Sequence, residues 1–154
     1  MAKASVKNTT AQLVEQLTRV LSDTYVLMVK THGYHWNVTG PQFAELHLLL
    51  EGQYSELFAA ADEIAERIRA LDATALGSMK GFLENSVVKE ATGAPPSAPN
   101  MIKGLLKTNE AVRTRIAEAS EVASELGDKG SEDTMIIRLK AHDKAMWMLR
   151  SYLA

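Results

Sequence analysis

Between Phe43 and Leu71 apolar side chains return every three or four residues, at Phe43, Leu46, Leu50, Tyr54, Leu57, Ala61, Ile64, Ile68 and Leu71, with no proline among them. This spacing predicts one long helix, because about 3.6 residues per turn bring such positions onto a single face. Gly52 lies inside it, and one interior glycine costs only about 1 kcal/mol, too little to end a helix supported on both sides. Ahead of it Thr39-Gly40-Pro41 breaks the pattern, with Pro41 suited to a first helical position and Gly40 or Thr39 to a cap. Leu13, Leu17, Val20, Leu21, Tyr25, Met28 and His35 form an earlier stripe, which predicts a helix from about Thr9 or Thr10 to Asn37. The two are joined by so few residues that they should lie antiparallel.

The rest of the chain repeats this plan. From Leu71 to Asn100 the pattern loosens into turn-like Ala75-Leu76-Gly77-Ser78 and loop-like Thr92-Gly93-Ala94-Pro95-Pro96, with a short helix expected over Met79 to Lys89. A third long helix is predicted from Asn100 to Leu126, its inner face at Ile102, Leu105, Leu106, Val112, Ile116, Ala119, Val122 and Leu126. Gly127-Asp128-Lys129-Gly130 stops it, Ser131 can cap a fourth, and Ile136, Leu139, Met146, Leu149 and Leu153 carry that helix to the end. Two tight hairpins and one long crossover predict an all-α, ferritin-like four-helix bundle, the crossover bearing a short extra helix. We expect one domain over residues 1–154, with residues 1–8 a short tail.

The polar residues on the first hairpin carry the chemistry. On the second helix His47, Glu51, Phe58, Asp62 and Glu66 occupy an arc about 60–120° from the apolar stripe. His35 ends the first helix and His47 begins the second, so the turn can bring the two imidazoles together. Asp62 and Glu66, four apart, share a face and can hold a cation between them. His47 and Asp62, however, are separated by about 22 Å along the axis, whereas the ligands of one ion all approach within about 2–2.5 Å. A two-fold axis laying two such helices antiparallel closes the gap, with His35 and His47 of one chain meeting Asp62 and Glu66 of another. The alternatives are a solvated acidic face with unrelated histidines, or an interface holding zinc or no metal. No histidine follows a glutamate by three positions, so the Glu-x-x-His signature of a di-iron site inside one bundle is absent.

Composition excludes other classes. Cysteine is absent, which removes thiolate catalysis, disulfides and cysteine zinc sites and fits a reducing compartment. A net charge of -2 argues against a surface that is basic all round. The first residues lack an apolar run of signal-peptide or membrane-spanning length, and a soluble, cytoplasmic protein is the expectation.

The pattern His35-Trp36-Asn37, Gly40, His47, Asp62-x-x-x-Glu66-Arg67, followed by Ala75-Leu76-Gly77, resembles the DNA-protection-during-starvation (Dps) mini-ferritins. The resemblance runs from the first helix to Trp147 and includes the crossover. It implies a hollow homododecamer with two-iron ferroxidase sites at its dimer interfaces. His35 and His47 would be ligands from one subunit, and Asp62 and Glu66 from the other. Glu51 would serve a second iron or its surroundings, and Trp36 would adjoin the site, packing there or intercepting radicals. Mixed imidazole and carboxylate ligands suit Fe(II), and oxygen donors stabilise Fe(III). The family's usual oxidant is hydrogen peroxide, and the ferric product is stored inside the shell, protecting against oxidative stress. Asp128, Glu132 and Asp133 would line a three-fold pore that draws cations inward, the plain alternative being turn formation and favourable first-turn placement. DNA is a further implied partner, with nucleoid compaction as the alternative function. Lys3 and Lys7 are the basic residues before the first helix that favour it, and the net charge opposes it.

Overall fold

In a computed structural model, residues 9–154 are described. They form five helices and no strand: α1 (Thr10–Asn37), α2 (Phe43–Ala70), α3 (Met79–Asn85), α4 (Ala98–Leu126) and α5 (Lys129–Leu153). Lys3 and Lys7 lie outside the described residues. α1 packs on α2 and α4, α4 on α5, and α2 meets α5, while α3 sits in the crossover against α1. This is the predicted bundle. Its core is built from the predicted stripes: Leu13, Leu17 and Val20 of α1, Leu50, Ile64 and Ile68 of α2, Ile102, Val112 and Ile116 of α4 and Leu149 of α5 are all sealed from solvent. Each such side chain contributes about 1.5–3 kcal/mol through burial. No helix among the described residues is long and apolar enough to cross a membrane.

The boundaries shift where side chains outside the stripe decide them. Thr9 caps α1 through a reciprocal pair, its hydroxyl accepting from the Gln12 amide while the Gln12 side chain accepts from the Thr9 amide. α2 begins at Phe43, two residues after Pro41, because Gly40 takes φ +114° and turns the chain there. α3 ends at Asn85, short of the expected Lys89, because Ser86 and Val87 bond to Asp23 instead of continuing the helix. Asp128, and not Ser131, caps α5: its carboxylate accepts from the Ser131 amide, and Ser131 is buried in the first turn.

The inward face of α5 also departs from expectation. Ile136 is exposed, and the positions facing the bundle are Met135, Arg138, His142, Met146 and Leu149. Arg138 is 2% exposed and His142 1%. Arg138 forms an ion pair with Glu56 of α2 and donates from Nη2 to His142 Nε2 at 3.3 Å. A guanidinium only donates, so Nε2 accepts and the His142 proton resides on Nδ1, which donates to Asn109 Oδ1 at 2.8 Å. Asn109 passes the chain on to the Leu105 carbonyl at 2.8 Å. Burial and the neighbouring Arg138 cation push the His142 pKa down to about 3.

A second buried polar group holds the crossover. Asp23 is sealed from solvent, and its Oδ1 accepts from Ser86 Oγ and the Val87 amide, both at 2.8 Å, while Arg115 of α4 approaches Oδ2 at 3.4 Å. Burial raises its pKa against these three donors.

Candidate metal centre

The turn at 38–42 determines the geometry. Val38, 2% exposed, closes α1 by donating its amide to the Tyr34 carbonyl at 2.9 Å, and anchors the turn in the core. α2 therefore starts beside the end of α1. His35, in the last turn of α1, is buried, and His47, near the start of α2, is half-buried. Their rings stack with centroids 3.7 Å apart and planes 21° from parallel.

Each imidazole is clasped by the other residue's backbone. His35 Nδ1 lies 2.8 Å from the His47 carbonyl oxygen, and His47 Nδ1 lies 3.0 Å from that of His35. A carbonyl only accepts, so both Nδ1 atoms carry protons and donate. In the neutral ring Nε2 is then the nitrogen left bare, and neither Nε2 has a partner among the described residues. A ring nitrogen held by a backbone carbonyl, with the opposite nitrogen free, is the arrangement that metal-binding histidines adopt.

Further aromatic rings support the pair. Tyr54 of α2 sets its edge against His35 at 5.1 Å, and Phe43 lies 5.1 Å from His47. His32 stacks on Tyr54 and lies against Trp36, both with centroids 3.9 Å away. The sequence reading places Tyr54 only in the apolar stripe of α2 and does not name His32, although spacing could have found both beside the imidazoles. His32 is one turn before His35 on the same face, and Tyr54 is two turns after His47. Trp36 follows His35 in the chain and is 65% exposed.

The acidic residues stand apart from the imidazoles. Asp62 and Glu66 lie on the exposed face of α2 with Glu51, and 15 residues of helix, about 22 Å, separate His47 from Asp62. Among the described residues no group of three His, Cys, Asp or Glu side chains comes together within one chain. The exposed face of α2 is also apolar: Leu48 is 65% exposed and Phe58 61%.

Asp128, Glu132 and Asp133 fall at the α4–α5 junction, and two of them are engaged. Arg67 of α2 donates from Nη2 to both Asp128 oxygens at 2.8 and 3.1 Å, and from Nε to Ser131 Oγ at 2.9 Å. Burial would raise the Asp128 pKa, but the Ser131 amide and the Arg67 guanidinium outweigh it and hold the carboxyl below its ordinary value. Glu132 pairs with Lys129 at 2.6 Å, and Asp133 is exposed. A side chain at residue 130 would crowd this latch, since a Cβ on Gly130 would lie 2.8 Å from Arg67 Nη1.

Comparison with known proteins follows the same lines. Residues 14–154 match the family described as the ferritin-like domain. The chain is 34% identical over 142 residues to DNA protection during starvation protein 2 of Bacillus anthracis, covering 92% of this chain and 97% of that one. Among solved structures, Dps from Staphylococcus aureus superposes with a TM-score of 0.92 at 35% identity, over 96% of this chain and 98% of the other. A Dps protein from Vibrio cholerae O1, described as a member of a broad superfamily of ferritin-like diiron-carboxylate proteins, superposes with a TM-score of 0.89 at 30% identity, over 99% of this chain and all 100% of that one.

Proposed function

Because the chain belongs to the ferritin-like family, and within it to the Dps proteins, we propose that it is a ferroxidase and iron-storage protein whose sites are completed between two subunits. The observation that carries this reading is the reciprocal clasp of His35 and His47, which fixes both tautomers and leaves two Nε2 lone pairs without a partner. Each chain thus offers an imidazole half on one end of its hairpin and an acidic half, Asp62 and Glu66, further along α2. A two-fold axis perpendicular to α2 brings the halves of two chains together twice. The same operation covers Leu48, next to His47, and Phe58, one turn before Asp62, which would otherwise leave apolar area in water.

Fe(II) is the substrate. Two Fe(II) ions supply the two electrons that reduce hydrogen peroxide to two waters with uptake of two protons, and the Fe(III) formed passes to a mineral inside a dodecameric shell. Each imidazole offers Nε2 to Fe(II), its Nδ1 proton being held by a carbonyl. The carboxylates supply the negative charge that favours Fe(III) over Fe(II), with Glu51 close enough along α2 to serve a second ion.

Anaerobic titration with Fe(II) tests the reading. Saturation at one to two ions per chain is expected, with loss of the tight phase in Asp62→Asn. Saturation far below one ion per chain, or an unchanged isotherm in that variant, overturns it.

A further inference from the structure

Inside the bundle a carboxylate, an imidazole and a guanidinium meet across three helices. Arg138 and His142 stand one turn apart on α5, with Glu56 of α2 and Asn109 of α4 bonded to them. Arg138 Nη2 donates to Glu56 Oε2 at 3.1 Å and to His142 Nε2 at 3.3 Å, while Nη1 donates to Glu56 Oε1. One cationic nitrogen therefore stands where a carboxylate oxygen and an imidazole lone pair converge.

Both of these acceptors are metal ligands by type. The imidazole is also held as a ligand is held. Its Nδ1 proton is fixed by the Asn109 amide oxygen at 2.8 Å, which turns Nε2 toward the guanidinium. Zinc bonds to nitrogen and oxygen are about 2.0–2.2 Å long, so the two acceptors would need to close by about 1 Å on the position that Nη2 fills. Glu56, Asn109, Arg138 and His142 all line a cavity of about 300 Å³. A water molecule takes about 30 Å³ of liquid, so this space can hold the waters that complete a coordination shell.

Stability alone does not account for Arg138. It is 2% exposed, and its Nε is buried with no acceptor among the described residues, as is Nε2 of Gln53 on the same cavity. An N–H buried without a partner is destabilising, and an apolar side chain of similar length would fill the space without that penalty. What the guanidinium does supply is a positive charge that it cannot shed, since arginine does not deprotonate in proteins.

We propose that Arg138 is a built-in cation that occupies a metal position inside the bundle and keeps divalent ions out of it, and that Glu56 and His142 become protein ligands of one such ion when the guanidinium is removed. A divalent ion beside the guanidinium would meet like charge in a buried site, and both of its ligands are already engaged. This assignment is independent of the proposed intersubunit site, which uses none of these residues.

Zn(II) is the probe, added to the full-length assembled protein at neutral pH and counted by equilibrium dialysis, its position read from anomalous scattering in crystals. His47→Ala/Asp62→Asn serves as the background, so that intersubunit ions do not enter the count. Arg138→Met in that background should take up about one further ion per chain at submillimolar zinc, with anomalous density between Glu56 and His142. Arg138→Gln, neutral but polar, should gain the same ion. Adding His142→Ala to either variant should weaken that uptake at least about tenfold, the loss of a ligand. No further ion in either variant, or a further ion that persists without His142, overturns the proposal. So does zinc between Glu56 and His142 in crystals of the wild type, a result that requires no substitution at Arg138.

Discussion

At the scale of single residues, the chemistry depends on which nitrogen carries a proton. His35 and His47 are held by each other's backbone carbonyl, so removing either ring deletes a ligand and a stacking partner while the carbonyl that orients the other ring stays in place. His35→Ala and His47→Ala should each slow peroxide-driven oxidation of Fe(II) by about tenfold or more without dissociating the assembly, since a metal ligand and its orienting partner are each worth about 10–100-fold. Stopped-flow absorbance and size-exclusion chromatography check this, and wild-type kinetics in both variants would remove them from the site. His142 shows the opposite use of the same side chain. Its folded pKa is depressed to about 3, below the ordinary 6.5. Between those values the unfolded chain binds a proton that the folded chain refuses, so its stabilising contribution is present above pH 6.5 and lost as the pH falls. The slope is about 1.4 kcal/mol per pH unit, or about 2 kcal/mol between pH 6.5 and 5. Urea denaturation at pH 7 and pH 5, at one protein concentration, should show that loss in the wild type and a smaller one in His142→Gln.

At the scale of elements, periodicity in the sequence identified every long helix, but the connections depend on polar contacts across large sequence separations. The crossover is the clearest case. Ser86 and Val87 reach back 63 and 64 residues to Asp23, so α3 stops where that carboxylate captures the chain. Asp23→Ala would leave the Val87 amide and the Ser86 hydroxyl unpartnered and Arg115 with one acceptor fewer. It should cost about 2–4 kcal/mol, given about 1–3 kcal/mol for each buried group left unsatisfied and more for a charge. Hydrogen exchange should show the loss concentrated in residues 86–96, while α4 and α5 keep their protection. Uniform loss along the chain would mean that Asp23 supports the core and not the crossover in particular. The α4–α5 junction follows the same rule. Asp128 caps α5 and pairs with Arg67, which ties the end of α2 to the second hairpin.

At the scale of the whole molecule, the proposed site belongs to two chains, and symmetry makes that testable. A dimer of a His47→Ala chain with an Asp62→Asn chain contains one site with both defects and one with neither. Random mixing of the two inactive pools should therefore restore about a quarter of the sites, half the dimers being mixed and half the sites of each intact. Recovery of ferroxidase activity after dissociation and reassembly of the mixture measures this, and none is expected if the ligands come from one chain. Much of this was legible in the sequence. The stripes of α1 and α2 predicted the antiparallel hairpin, and the distance along one rod from His47 to Asp62 already separated the two halves of the site, because helical rise is a local property that each residue obeys. What only the tertiary structure decided was how polar groups are satisfied: the tautomers of the paired imidazoles, the burial of Arg138 and His142 where Ile136 had been expected, the capping of α5 by Asp128 and the anchoring of the crossover by Asp23. A hydrogen bond needs its partner within about 3 Å. For a buried polar side chain that partner is often dozens of residues away, and no local pattern of hydrophobicity records which one it is.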